Sequence, residues 1–213
     1  MRTDELIAAL AADAGPAPGG VPARRLALTT LVGGLIALAL VLLGLHARDD
    51  LAEAMATRFF WMKAAYTAVL GVAGFWACER LARPGASGRK AFWLAGGVLA
   101  LYFALALFRL MEASPEARMP MIMGKSVMHC LGSIVMLGAP MLAVALVAMR
   151  DLAPTRPALA GFAAGLFSGA VCATVYGLHC GENAMIFVSA WYTLGVLLVG
   201  LLGALIGRWA LRW

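Results

Sequence analysis

The sequence predicts an all-α, polytopic membrane protein with six transmembrane helices and both termini in the cytoplasm. Three observations carry that expectation. First, 63% of the 213 residues are hydrophobic and only 13% are charged, and mean hydropathy is +0.88. A soluble domain of this length cannot hide that much apolar surface. Second, apolar runs of roughly 20 residues, the length that crosses a bilayer, recur near 26–45, 59–78, 91–111, 126–149, 158–178 and 185–207. Third, the cations are distributed unevenly. An even number of spans places Arg2, Arg24, Arg25, Arg80, Arg83, Arg89, Lys90, Arg150, Arg156, Arg208 and Arg212 on the side of the termini, against Arg48, Arg58, Lys63, Arg109, Arg118 and Lys125. Lys and Arg collect on cytoplasmic loops, so this asymmetry puts the termini inside, and the net charge of +6 reflects topology rather than nucleic acid binding.

The elements follow in order. Residues 1–25 form a cytoplasmic tail, with no cleavable signal peptide expected because the first apolar run is long enough to remain as an anchor. Within the tail, Thr3 suits an N-cap and Asp4 and Glu5 suit a first helical turn. Leu6, Ile7 and Leu10 then share one face at helical spacing. A helix of about ten residues is marginal alone, and this one is acidic where membrane-surface helices are basic. It reads either as a tethered element that folds into a partner's groove or as a frayed terminus. Gly15, Pro16, Pro18, Gly19 and Gly20 make the linker to the six-helix domain, residues 26–213. The second span carries Lys63 beside Phe59, Phe60 and Trp61, and this lysine is expected to snorkel to the interface. In the fifth span Gly161, Gly165, Gly169 and Ala173 lie four apart, a small-residue groove for close helix packing, repeated by Gly203 and Gly207 in the sixth. That groove can serve within one chain or between two copies.

Chemistry is sparse. The aqueous loops run to about 8 to 14 residues, too short for a soluble catalytic domain, and no Asp or Glu lies at mid-span, which disfavours ion or proton transport. What stands out is a doublet repeated fifty residues apart, His129-Cys130 and His179-Cys180. The predicted topology brings both to the outer interface, with His46 at the end of the first span as a third contributor. Two nearby thiols in an oxidising compartment tend towards a disulfide; two thiols and two imidazoles also make a tetrahedral metal set. Cys78 and Cys172 read as structural filler, and Met119, Met121, Met123 and Met128 as an interfacial apolar loop leading to the first doublet, although their thioethers also suit Cu(I) or an oxidant.

Several motifs resemble a known family: Thr3-Asp-Glu-Leu-Ile7, Ala153-Pro-Thr-Arg-Pro-Ala-Leu-Ala-Gly-Phe-Ala-Ala-Gly165, Tyr176-Gly-Leu-His-Cys180, Trp191-Tyr-Thr-Leu-Gly195 and the terminal Leu211-Arg-Trp213. Together they are similar to the NrsF-type negative regulators of sigma F. The resemblance implies a six-span inner-membrane anti-sigma factor, not an enzyme. Its cytoplasmic side holds an extracytoplasmic-function sigma factor, and a periplasm-facing cysteine pair senses heavy metals or oxidants. By motif position the pair is Cys130 and Cys180, with His129 and His179 beside them. Asp4, Glu5, Leu6, Ile7 and Leu10, together with the loops near Arg80 to Lys90 and Arg150 to Pro157, face the sigma factor. No obligatory cofactor and no direct contact with nucleic acid are implied, only a transient heavy-metal ion. Two other classes are weighed against this one. A quinone-linked thiol oxidoreductase needs a CxxC that the chain lacks, and a metal or small-molecule transporter needs mid-membrane acids.

Overall fold

A computed structural model describes residues 2–13 and 20–212. Among them every regular element is helical. The elements are α1 (Thr3–Asp13), α2 (Val21–Leu40), α3 (Leu51–Met55), α4 (Arg58–Leu81), α5 (Arg89–Glu112), α6 (Pro115–Met123), α7 (Val127–Arg150), α8 (Pro157–Tyr176), α9 (Met185–Phe187) and α10 (Thr193–Ala210). A wide π-helical turn, Val41–Leu45, prolongs α2, and another, Val188–Tyr192, joins α9 to α10.

Five helical segments are long and apolar enough to cross a membrane: Val21–Leu45, Arg89–Glu112, Pro115–Arg150, Pro157–Tyr176 and Met185–Ala210. The sixth long helix, α4, has the same 24 residues as α5 and α7, about 36 Å at 1.5 Å per residue. It is less apolar because Lys63 interrupts its run.

In the packing, α8 is the central rod. It lies against α10 most extensively, then against α4 and α7. Ala160, Ala163, Ala164, Phe167, Ala170, Cys172 and Ala173 are sealed on every side of it. Glycine makes the approach to α10 this close. A Cβ on Gly161 would collide with the Gly203 carbonyl, one on Gly165 with the Val199 carbonyl, and one on Gly207 would stand 2.7 Å from the Gly161 Cα. The small-residue groove is therefore filled within one chain by the matching glycines of α10. Polar side chains link other helices. Tyr66 on α4 meets Thr193 on α10 at 2.5 Å, and the Thr174 hydroxyl donates to Thr67 at 2.9 Å. In an apolar medium such pairs hold helices together. Outward faces are apolar all round, with Leu43, Trp93 and Val147 at least 70% exposed, as lipid contact requires.

Two local expectations are corrected. Thr3 is the first helical residue of α1 rather than its cap; the Arg2 N–H is instead capped by the Glu5 carboxylate at 3.0 Å. The approach to the first doublet, expected as loop, winds into α6 between Pro115 and Met123. Proline suits the first helical turn, where its missing N–H has no intrahelical partner to lose. The linker positions 15, 16, 18 and 19 lie outside the described residues.

Candidate functional site

At the end of the bundle where α2 stops and α4 and α7 begin, the loop Gly177–Ala184 folds inward. Three anchors fix it. On one side Lys63 of α4 donates from Nζ to the Cys180 carbonyl at 2.9 Å and to the Glu182 carbonyl at 3.3 Å. On a second side Arg48, from the segment after α2, gives its backbone N–H to the Leu178 carbonyl and its guanidinium to the Cys180 carbonyl at 3.4 Å. Asp50 holds that guanidinium through two 2.6 Å contacts. The pairing keeps the Asp50 carboxyl below, and the Arg48 guanidinium above, its ordinary titration range. On the third side the Glu182 carboxylate accepts the Lys125 N–H at 2.7 Å and the Ser126 hydroxyl at 3.0 Å. It thereby sits at the N-terminus of α7, where a negative charge meets the positive end of the helix dipole.

These anchors place Cys180 against Cys130, in the first turns of α7. The two side chains interact directly. Both are free thiols and both are buried. The Cys180 thiol, in the loop beyond the helices, is pushed below its usual titration range. The hydrogen bond from Cys130 is the main cause, and the Lys63 ammonium adds to it against the penalty of burial. The histidines of the two doublets also meet: the His129 and His179 rings lie 5.7 Å apart, and Tyr176 lies 5.6 Å from His179 on another side. His179 Nδ1 donates to the His46 carbonyl at 2.7 Å, which fixes its tautomer. His46 thus contributes its backbone rather than its ring, and it does so from a left-handed conformation, φ 64°. That conformation is uncommon for a residue with a Cβ.

The structure thus brings together all four members of the doublets, two sulfurs inside and two rings nearer the surface. No group of three or more His, Cys, Asp or Glu among the described residues is arranged to hold a metal ion. Cys78 is buried away from the pair, and Cys172 donates to the Leu137 carbonyl at 3.2 Å. Met119, Met123 and Met128 point outward, and Met121 packs against the core.

Lys63 corrects an expectation. It does not snorkel: only 4% of it is exposed, and its ammonium lies inside the cysteine loop. The signal was present in the sequence, since a lone cation within an apolar run marks a specific partner. Arg48 and Glu182, also essential to the loop, carried no such signal.

The model of the family "Negative regulator of sigma F", NrsF, matches residues 10–213. The chain belongs to the NrsF family. It is 53% identical over 215 residues to the "Anti-sigma-F factor NrsF" of Caulobacter vibrioides (strain NA1000 / CB15N), covering the whole of both chains. It is 42% identical over 217 residues to the "Probable anti-sigma-F factor NrsF" of Azospira oryzae (strain ATCC BAA-33 / DSM 13638 / PS), again over both full lengths. No solved structure matches. Far from this site in the sequence, the acidic helix α1 leaves Leu6, Ile7 and Leu10 exposed.

Proposed function

We propose that this protein is a non-enzymatic anti-sigma factor of the bacterial inner membrane, with six spans and both termini inside. On this reading it holds an extracytoplasmic-function sigma factor on the cytoplasmic side and releases it when Cys130 and Cys180 are oxidised to a disulfide. The observation that carries the sensing half is that two buried free thiols, Cys130 in α7 and Cys180 in the loop after α8, meet at one end of the bundle, which this reading takes as the outer one. The names of the two relatives support the anti-sigma half. Oxidation transfers two electrons and two protons from the thiols to an oxidant, and the S–S bond draws the sulfurs to ~2.05 Å. Because Cys180 is tied by Lys63 and Arg48 to α4 and the α2–α3 segment, closing that bond shifts the loop relative to α7 and reorders the rim.

On the inner side α1 offers an apolar face of Leu6, Ile7 and Leu10 behind Asp4 and Glu5, suited to a basic, grooved partner. On this reading the loops near Arg80 to Lys90 and Arg150 to Pro157 share that side.

The test is a sigma-dependent reporter in cells carrying the full-length protein, challenged separately with hydrogen peroxide and with cadmium. The Cys130→Ser/Cys180→Ser double variant is expected to keep basal repression and lose induction. Induction equal to wild type in that variant would overturn the sensing role. Induction by cadmium alone, with both thiols open to alkylation once the metal is chelated away, would replace the disulfide with metal capture.

A further inference from the structure

We infer that the thiol pair is unequal: Lys63 is a positioning residue that makes Cys180 the sulfur oxidised first, leaving Cys130 to resolve it. This rests on the oxidative reading above. Lys63 leaves α4 one turn after its start and ends buried, with its ammonium 2.9 Å from the Cys180 carbonyl, 3.3 Å from the Glu182 carbonyl and 5.9 Å from the centre of the Tyr192 ring. Among the described residues it makes no ion pair with a carboxylate, and the Glu182 carboxylate is engaged elsewhere, by Lys125 and Ser126. A buried cation without an anion favours negative charge nearby, and its charge acts on Cys180 ahead of Cys130. Cys130 has the opposite setting. It lies in the first turns of α7, a place where a helix dipole ordinarily activates a thiol, but Glu182 already occupies that N-terminus with a negative charge. The ammonium is bonded to the Cys180 backbone, whereas the helix end that carries Cys130 is capped by a carboxylate.

Burial limits the oxidant. With Cys130 fully covered and Cys180 3% exposed, another protein's disulfide cannot approach in this conformation, whereas a hydroperoxide of water-like size can diffuse in. The Cys180 sulfur attacks one peroxide oxygen, the O–O bond breaks, and the departing oxygen leaves as water with the thiol proton and a proton of the peroxide. Cys180 becomes a sulfenic acid. The Cys130 sulfur then attacks the Cys180 sulfur, the S–O bond breaks, and hydroxide leaves as water with the Cys130 proton. In total two thiols and one hydrogen peroxide give one disulfide and two waters.

The experiment treats the full-length protein in native membranes with hydrogen peroxide, then denatures it in the presence of the sulfenic-acid trap dimedone, so that burial does not limit trapping, and is read by mass spectrometry. The Cys130→Ser variant is expected to accumulate adduct at Cys180 about tenfold faster than the Cys180→Ser variant does at Cys130. In the Cys130→Ser background, Lys63→Met slows trapping by about tenfold and Lys63→Arg, which keeps the charge and the donors, restores it. Should Lys63→Met fail to accumulate, the first comparison decides alone. Equal rates at the two cysteines, or an unchanged rate in Lys63→Met, overturn the inference while wild-type peroxide induction leaves the oxidative reading standing. No adduct at either cysteine together with no induction overturns both.

Discussion

Lys63 and Asp50 do related work at the cysteine loop from different distances. Lys63 is buried and touches the loop directly; Asp50 is exposed and acts by holding Arg48, whose side chain is almost covered. The Asp50 carboxyl titrates below its ordinary value of 3.8. The ion pair is therefore fully formed above that value and is lost as pH falls through the lower, folded value. Asp50→Asn is expected to lower the thermal midpoint of the purified protein near neutral pH. That difference from wild type closes as the solution is acidified below 3.8. A difference that persists in strong acid would mean that Asp50 contributes by shape rather than charge. The sequence alone showed the two doublets and their convergence, because topology fixes which helix ends share a rim. The lone cation in an apolar run signalled that Lys63 has a partner, but not which one. Only the fold reveals the Cys180 and Glu182 carbonyls within its reach.

At the scale of helices, the six long segments were legible to within a few residues, since each apolar run is bounded by Arg, Pro or Gly, such as Arg58, Arg89 and Pro157. The helical form of α6 was not, because its methionines carry no clear period and Pro120 interrupts it. The glycine pattern of α8 was legible as a groove, but its partner was not. Only the structure shows that α10 supplies Gly203 and Gly207 to meet it. This gives a contrast between glycines. Gly165→Ala places a methyl group against the Val199 carbonyl and the Gly200 Cα, and overpacking of this kind costs about 1–3 kcal/mol. Gly96→Ala on α5 meets nothing within 4 Å, and relief of backbone freedom stabilises the helix by about 0.5–1 kcal/mol. Detergent-denaturation midpoints of the two variants should move in opposite directions. Equal shifts would show that the α8–α10 contact gives way easily.

Across the whole molecule, α7 connects the two ends that the proposed switch must link. Its first turns hold Cys130, and its last turn holds Arg25 of α2, through the Ala148 carbonyl at 3.4 Å and Asp151 at 3.1 Å. Arg25 lies five residues beyond Gly20, where the described part of α2's approach from α1 begins. A displacement of α7 at the thiol end is therefore felt first, at the other end, by the root of the tail. The Arg25–Asp151 pair is half-exposed, so its direct contribution to stability is small, and the effect of removing it should appear in signalling rather than in folding. Asp151→Arg is expected to leave the thermal midpoint nearly unchanged while shifting the peroxide dose that releases the sigma factor. The reciprocal Arg25→Asp/Asp151→Arg swap should bring that dose back towards wild type. Removal of residues 1–22 should abolish repression at every dose, since the proposed function makes the tail the holding element. If the truncated protein still captures the sigma factor, the loops at Arg80 to Lys90 and Arg150 to Pro157 are the holding surface, and α7 then acts on them directly through Arg150 and Asp151.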